Sequence, residues 1–247
     1  MDNTQVFSDE FGQLLVIDDG DYRTLAFAED DSQSRMLKST PHVLQYEYTQ
    51  AMLLVLLFCQ PKRVLLLGLG GGSLMTALHH HIPGIHITAV ELRAAVIEIA
   101  YRFFRLPRGK RLQVVQQDAA LFVQTPMDKK VDVVFVDLYH RDGVDDAQLQ
   151  AAFIADCAQQ LKNNGWLVLN GWIEHQENTV FMDTLQQYFT DIRSVLTGSH
   201  NWVIIAGIAG NSLNTQPDSV LKETAAQLSA KLGFSLSRHL ARMKQHR

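Results

Sequence analysis

Leu65-Leu66-Leu67-Gly68-Leu69-Gly70-Gly71-Gly72-Ser73-Leu74 is an apolar run of strand length that breaks into a glycine-rich turn and continues as a helical pattern. Missing side chains let the backbone approach a ligand closely, and the start of the following helix offers unpaired N–H groups. Read alone, the turn is equally what a tight strand-to-helix connection needs for steric reasons. The next three apolar runs decide between the two. Residues 85–90 end in Glu91. An acid at the end of the second strand, roughly 20 residues past the turn, is placed to accept from both ribose hydroxyls of a nucleoside. A helix cap at that point would more commonly be Ser, Thr, Asp or Asn. Residues 112–115 lead into Gln116-Gln117-Asp118-Ala119, where Asp118 either accepts from an adenine amino group or caps the next helix. Gly68, Gly70, Gly72, Glu91, Asp118 and Ala119 thus form a candidate nucleoside site in register.

The fourth run, 131–136, ends in Asp137-Leu138-Tyr139-His140. In open α/β sheets the ligand lies outside the carboxyl ends of the strands. Asp137 then faces the reacting end of the nucleoside, where a carboxylate orients or deprotonates an attacking amine, or else holds a loop. Working outward, 64–67, 85–90, 112–115, 131–136 and 166–169 are apolar runs separated by helical segments at 74–81, 94–104 and 149–161. Strands apolar on both faces and alternating with helices predict a doubly wound, mostly parallel Rossmann-like α/β sheet. Residues 192–196 and 202–208 flank Gly198 and suit an antiparallel hairpin at the sheet edge. The dense apolar segment 44–58, closed by Pro61, predicts a buried helix, and 220–242 a helix broken near Gly233. The first forty residues differ. Val6-Phe7, 14–17 and 22–27 are short apolar runs, and Asp18-Asp19-Gly20-Asp21 suits a tight turn, so residues 1–40 read as a small antiparallel β-unit before a nucleoside-binding domain at 41–247.

Composition narrows the partners. Of 247 residues, 47% are hydrophobic and 19% charged, and the formal charge of −4 argues against a phosphate-tracking, nucleic-acid-binding surface. Arg238, Arg242, Lys244 and Arg247 follow amphipathic spacing and read as a solvated helix face. Cys59 and Cys157, far apart and in apolar surroundings, read as buried thiols in a reducing compartment. No signal-peptide pattern opens the sequence and no apolar run is long enough for a bilayer, so a cytoplasmic protein without membrane contact is expected. His79-His80-His81 are consecutive, fall on different sides of a helix and are expected not to converge on a metal; no metal is predicted. Asn170-Gly171-Trp172, with Glu174 and His175, follow the fifth run at the edge where an acceptor would sit, or serve packing.

The pattern Val-Leu-Leu-Leu-Gly-Leu-Gly-Gly-Gly, Ala-Val-Glu-Leu, Gln-Asp-Ala and Val-Asp-Leu resembles the spermidine synthase family of polyamine aminopropyltransferases, from about Val6 to Trp172. That resemblance implies transfer of an aminopropyl group from decarboxylated adenosylmethionine to an amine, with release of methylthioadenosine. It implies Glu91 on the ribose, Asp118 on the adenine amine and Asp137 on the attacking nucleophile. It further implies Tyr46 as the tyrosine of the substrate pocket, Gln33 near the nucleoside, and a homodimer. The chain departs from the family at several points. An Asp that reads the aminopropyl amine in the glycine loop is Gly71 here, the second Asp after the fourth strand is His140, the following Pro is Arg141, and a Tyr-His-Glu segment is Tyr46-Glu47-Tyr48. A diamine is dicationic at neutral pH and its pocket needs carboxylates, so the expected acceptor is an amine other than putrescine, met at Tyr139 and His140. Adenosylmethionine itself is an alternative donor, a methyltransferase an alternative activity, and a non-catalytic nucleoside-binding module a third reading.

Overall fold

Alternate residues of a strand buried on both faces must serve two cores, and Arg63–Leu67 does so in the computed structural model. Val64 and Leu66 join one apolar cluster, Leu65 and Leu67 a second cluster on the opposite face. The structure describes residues 3–28, 31–140, 143–144, 146–208 and 217–246.

The chain opens with four antiparallel strands in sequential order, β1 (Asn3–Asp9), β2 (Gly12–Asp19), β3 (Tyr22–Ala28) and β4 (Asp31–Leu37). The expected tight turn lies between β2 and β3, with Gly20 at φ +53°. Asp18 on its shoulder is held near pKa 2, chiefly by the hydrogen bonds from Arg23, with Lys38 adding to it against the cost of burial. The fourth strand, Gln- and Ser-rich, lacks the apolar alternation that marks the other three, so no strand was predicted there. Leu14, Val16, Leu25, Phe27 and Met36 of this sheet pack against Val96, Ile99, Phe103 and Phe104.

The apolar segment 44–58 is not one helix. Tyr46 is extended, α1 covers Glu47–Met52, and Leu53–Leu57 tightens into a 3₁₀ turn that is buried nearly all round. After it come β5 (Arg63–Leu67), α2 (Ser73–His81), β6 (His86–Glu91), α3 (Ala94–Phe103), β7 (Leu112–Gln116), α4 (Ala119–Val123) and β8 (Val131–Val136). A two-residue pair, β9 (Tyr139–His140) and β10 (Gly143–Val144), precedes α5 (Ala151–Gln160) and β11 (Leu161–Trp172). Then follow α6 (Thr179–Tyr188), β12 (Asp191–Leu196), β13 (Asn201–Gly207), α7 (Asp218–Leu232), α8 (Leu236–Leu240) and β14 (Lys244–His246). Gly233, left-handed at φ +80°, ends α7 where the break was expected.

The large sheet runs β14-β12-β13-β11-β8-β5-β6-β7. Its pairs β11·β8, β8·β5, β5·β6 and β6·β7 are parallel, and β13, β12 and β14 add antiparallel. The β12–β13 hairpin forms as expected, but β14 covers its outer edge. Residues of α1, α2, α7 and α8 fill one face and those of α4, α5 and α6 the other, the doubly wound arrangement. Strand order reverses between β5 and β8, and a crevice at such a switch point is where an α/β sheet receives its ligand.

Candidate active site

A cavity of about 410 Å³ lies over the carboxyl ends of β5, β6, β7 and β8 and is roofed by β4 and α1. Gly68, Gly70, Glu91, Asp118, Ala119, Asp137, Tyr139, Tyr46 and Gln33 all line it. Gly72 does not. It caps α2 in the left-handed conformation at φ +76°, and a Cβ there would lie 2.2 Å from Leu106. Gly68 is demanded by the crossing itself: at φ +93°, a Cβ would lie 2.2 Å from the Asp137 carbonyl oxygen. The loops after β5 and β8 therefore touch, and the Asp137 amide donates to the Leu67 carbonyl at 2.9 Å.

Glu91 accepts from the Leu69 amide at 3.1 Å and the Arg93 amide at 2.9 Å. Burial raises its pKa, opposed by the hydrogen bonds from the amides of Arg93, Leu69 and Gly70. The Arg93 side chain is turned away to Asp9 (2.7 Å) and the Gly12 carbonyl (3.0 Å), fastening the β1–β2 turn over the site. That turn and β3 supply Phe11 and Phe27 as cavity walls. Asp118 uses Oδ1 to cap α4 through the Leu121 amide at 2.8 Å while lining the cavity, so the cap and the ligand contact are compatible.

Asp137 is held from two sides. Asn170 of β11 donates to Oδ1 at 2.8 Å, and the Tyr48 hydroxyl donates to Oδ2 at 3.2 Å. Burial raises the Asp137 pKa, and these two hydrogen bonds restrain the rise. Asn170 is itself tied down, its carbonyl accepting from the buried Gln148 amide at 3.0 Å. The Tyr46 hydroxyl is hydrogen-bonded to that of Ser32, tying it to β4, and within β4 the Gln33 amide donates to Asp31 at 2.5 Å. Tyr139 meets Trp172 edge to face at 5.6 Å, and burial pushes its hydroxyl up to about 12. His140 is described as strand backbone alone, and Arg141 lies outside the described residues. Tyr48, Arg35, Phe11 and Phe27 are cavity residues not singled out as candidates from sequence. For Tyr48 the signal was present: it stands where the resemblance expects a carboxylate.

The spermine/spermidine synthase domain matches residues 44–203. This chain belongs to the spermine/spermidine synthase family. It is 29% identical over 238 residues to a polyamine aminopropyltransferase of Neisseria meningitidis, covering 95% of this chain and 90% of that protein. Its fold matches a probable spermidine synthase from Corynebacterium glutamicum at TM-score 0.76 and 15% identity, over 95% of both chains. It also matches human methyltransferase-like protein 13, solved in complex with SAH, at TM-score 0.67 and 22% identity, over 76% of this chain and 93% of that one. The family assignment makes the chain a transferase on a methyltransferase-like scaffold.

Within that family the departures acquire physical form. Position 71 has no room for a carboxylate: a Cβ on Gly71 would sit 2.9 Å from both Phe104 and Ser34, and the Gly71 amide donates to the Ser34 hydroxyl at 2.8 Å. The histidine run does not stand alone. His42, before α1, meets two residues of the run, and the ligand atoms of His42, His80 and His81 lie within 4.8 Å of one another. The sequence separation of His42 hid this. His42 and His80 stack face to face, centroids 3.7 Å apart and planes 12° apart. Imidazole lone pairs lie in the ring plane, so those of the stacked pair run side by side rather than toward one point. Arg238 and Arg242 are exposed as expected, and both pair with Glu47, at 3.2 and 2.8 Å, while Lys244 lies on β14 rather than on a helix. Among the described residues no helix is long and apolar enough to cross a membrane.

Proposed function

We propose that this family member alkylates an amine acceptor other than putrescine, using an adenosylmethionine-type donor held in the cavity. Glu91 takes the ribose, Asp118 and Ala119 the adenine, and the Gly68–Gly70 turn the arm leading to the sulfonium. The observation that carries the reading is Asp137, a partly buried carboxylate fixed by Asn170 and Tyr48 in the same cavity as Glu91. An acceptor nitrogen hydrogen-bonded to Asp137 loses its proton to the carboxylate and attacks the carbon next to sulfur. The new C–N bond forms as the C–S bond breaks, and its electron pair returns to sulfur, leaving a neutral thioether nucleoside. Positioning and proton removal are what the protein must add, because a sulfonium is already a good leaving group.

Acceptor choice follows from charge. Gly71 and Tyr48 stand where diamine-binding relatives are expected to carry carboxylates, and a guanidinium, Arg35, joins the lining. With those two carboxylates replaced, a second cationic end loses partners it has in such relatives. Methyl transfer from the same donor is the second reading, favoured by the closed position 71, which has no group to read an aminopropyl amine. Product analysis separates the two: methylthioadenosine reports transfer of the propyl arm and S-adenosylhomocysteine transfer of methyl. With either product, Asp137→Asn is expected to lower kcat by about 10²–10⁴-fold at unchanged donor affinity. An undiminished kcat would leave Asp137 a structural carboxylate. The homodimer and the cytoplasmic location implied by the family are part of this proposal, and sedimentation of the purified chain tests the first.

A further inference from the structure

Among the described residues two arginines line the cavity, and they are not alike. Arg93 is neutralised by Asp9 at 2.7 Å and spans to the Gly12 carbonyl. Arg35, on β4, lies with its guanidinium carbon 4.1 Å from the Tyr22 ring centroid, and its buried Nε has no hydrogen-bond partner among the described residues. Arg35 and Tyr46 line the same cavity. A buried Nε–H without an acceptor is costly, and planar carboxylates are the groups the guanidinium's fork of donors matches best.

The glycine loop points the same way. Ser34, the neighbour of Arg35, receives the Gly71 amide, so β4 is pinned against the loop. Phe104 and Ser34 fill the space a side chain at 71 would need, so the loop offers no carboxylate to an amine-ended arm. A decarboxylated donor brings a sulfonium and an ammonium toward Arg35, two positive charges against a third. Intact adenosylmethionine brings the same two cations and a carboxylate.

Resting on the donor site proposed above, we infer that Arg35 is the receptor for the α-carboxylate of intact adenosylmethionine and makes this family member selective for the carboxylated donor. The group transferred is then methyl or the carboxylate-bearing propyl arm.

Calorimetric titration of the full chain with adenosylmethionine, its decarboxylated form and methylthioadenosine tests this, on the natural sequence and on Arg35→Met and Arg35→Lys. The natural chain is expected to bind adenosylmethionine at least about tenfold more tightly than the decarboxylated form. Arg35→Met should lose about 10- to 100-fold in adenosylmethionine affinity while methylthioadenosine affinity stays within about twofold, and Arg35→Lys should fall between. Preference of the natural chain for the decarboxylated donor would overturn the inference, as would equal weakening of all three ligands in Arg35→Met, which would mark a packing role on Tyr22. In both cases the nucleoside site itself would stand. Failure of the natural chain to bind any of the three would sink the donor site and this inference together.

Discussion

Asp137 is surrounded by opposing influences. Burial favours its neutral form, while the Asn170 and Tyr48 hydrogen bonds favour the carboxylate. A base must be ionised to accept a proton, so the raised pKa moves the acidic limb of the rate profile above the ordinary carboxylate range. Tyr48→Phe removes one of the two restraining hydrogen bonds, so the Asp137 pKa rises further. The kcat–pH profile of Tyr48→Phe should therefore shift its acidic limb to higher pH, with the plateau reduced several-fold. An unshifted limb would show that Tyr48 packs beside Asp137 without tuning it. The same phenol is pushed well above its ordinary pKa by burial and by the neighbouring carboxylate, so it remains a donor throughout the working range.

At the scale of elements, the segment entering α1 is fastened to the end of α2 by the histidine stack. His81 is buried, and its pKa is lowered to about 4, first by desolvation and then by its neighbours His80, His42 and Lys231. Its folded pKa lies below the ordinary histidine value, so between those two pH values the unfolded chain binds more protons than the folded one. Stability is then fully present above about pH 6.5 and is lost as pH falls toward 4. Urea midpoints measured from pH 7 to 4 should drop across that window, and His81→Leu should flatten the slope. His42, His239 and His246 are lowered in the same direction, so a residual slope is expected. A slope unchanged in His81→Leu would assign the acid sensitivity elsewhere. Glu47 performs the matching task at the start of α1, accepting from the Gly198 amide at 2.7 Å besides pairing with Arg238 and Arg242.

For the whole molecule, the decisive contact is between the two sheets. Arg93, two residues from Glu91, is fixed to Asp9 of the N-terminal sheet, with side chains 9% and 13% exposed. Its guanidinium also lies over the Phe27 ring at 4.8 Å. Asp9→Asn leaves a largely buried guanidinium without its anion, which typically costs about 3–5 kcal/mol when burial is complete and less at this partial exposure. Asp9→Asn should lower the unfolding free energy by about 2–3 kcal/mol in urea melts and weaken methylthioadenosine binding, because Phe11 and Phe27 lose their anchor. Destabilisation with unaltered nucleoside affinity would show that the N-terminal sheet only covers the cavity.

What the sequence by itself determined was the parallel core and the gathering of Gly68, Gly70, Glu91, Asp118 and Asp137 at one cavity. Runs apolar on both faces in 64–67 and 131–136, a glycine turn after the first, and an acid after the second, third and fourth are regularities written within a few residues, and local sterics and periodicity make them readable. It also showed, at Gly71 and His140, that the reacting half departs from the pattern it resembles. It missed β4, whose polar residues carry no strand period, and it joined α1 to the 3₁₀ turn because both are equally apolar. Only the tertiary structure decided who surrounds Asp137. Tyr48 is 89 residues from it and Asn170 33, and such hydrogen bonds leave no local signature. The roof from β4, with Arg35, and the walls of Phe11 and Phe27 exist for the same reason: a separate sheet is folded over the switch point, and its position follows from packing on α3 and the Arg93–Asp9 pair rather than from any pattern along the chain.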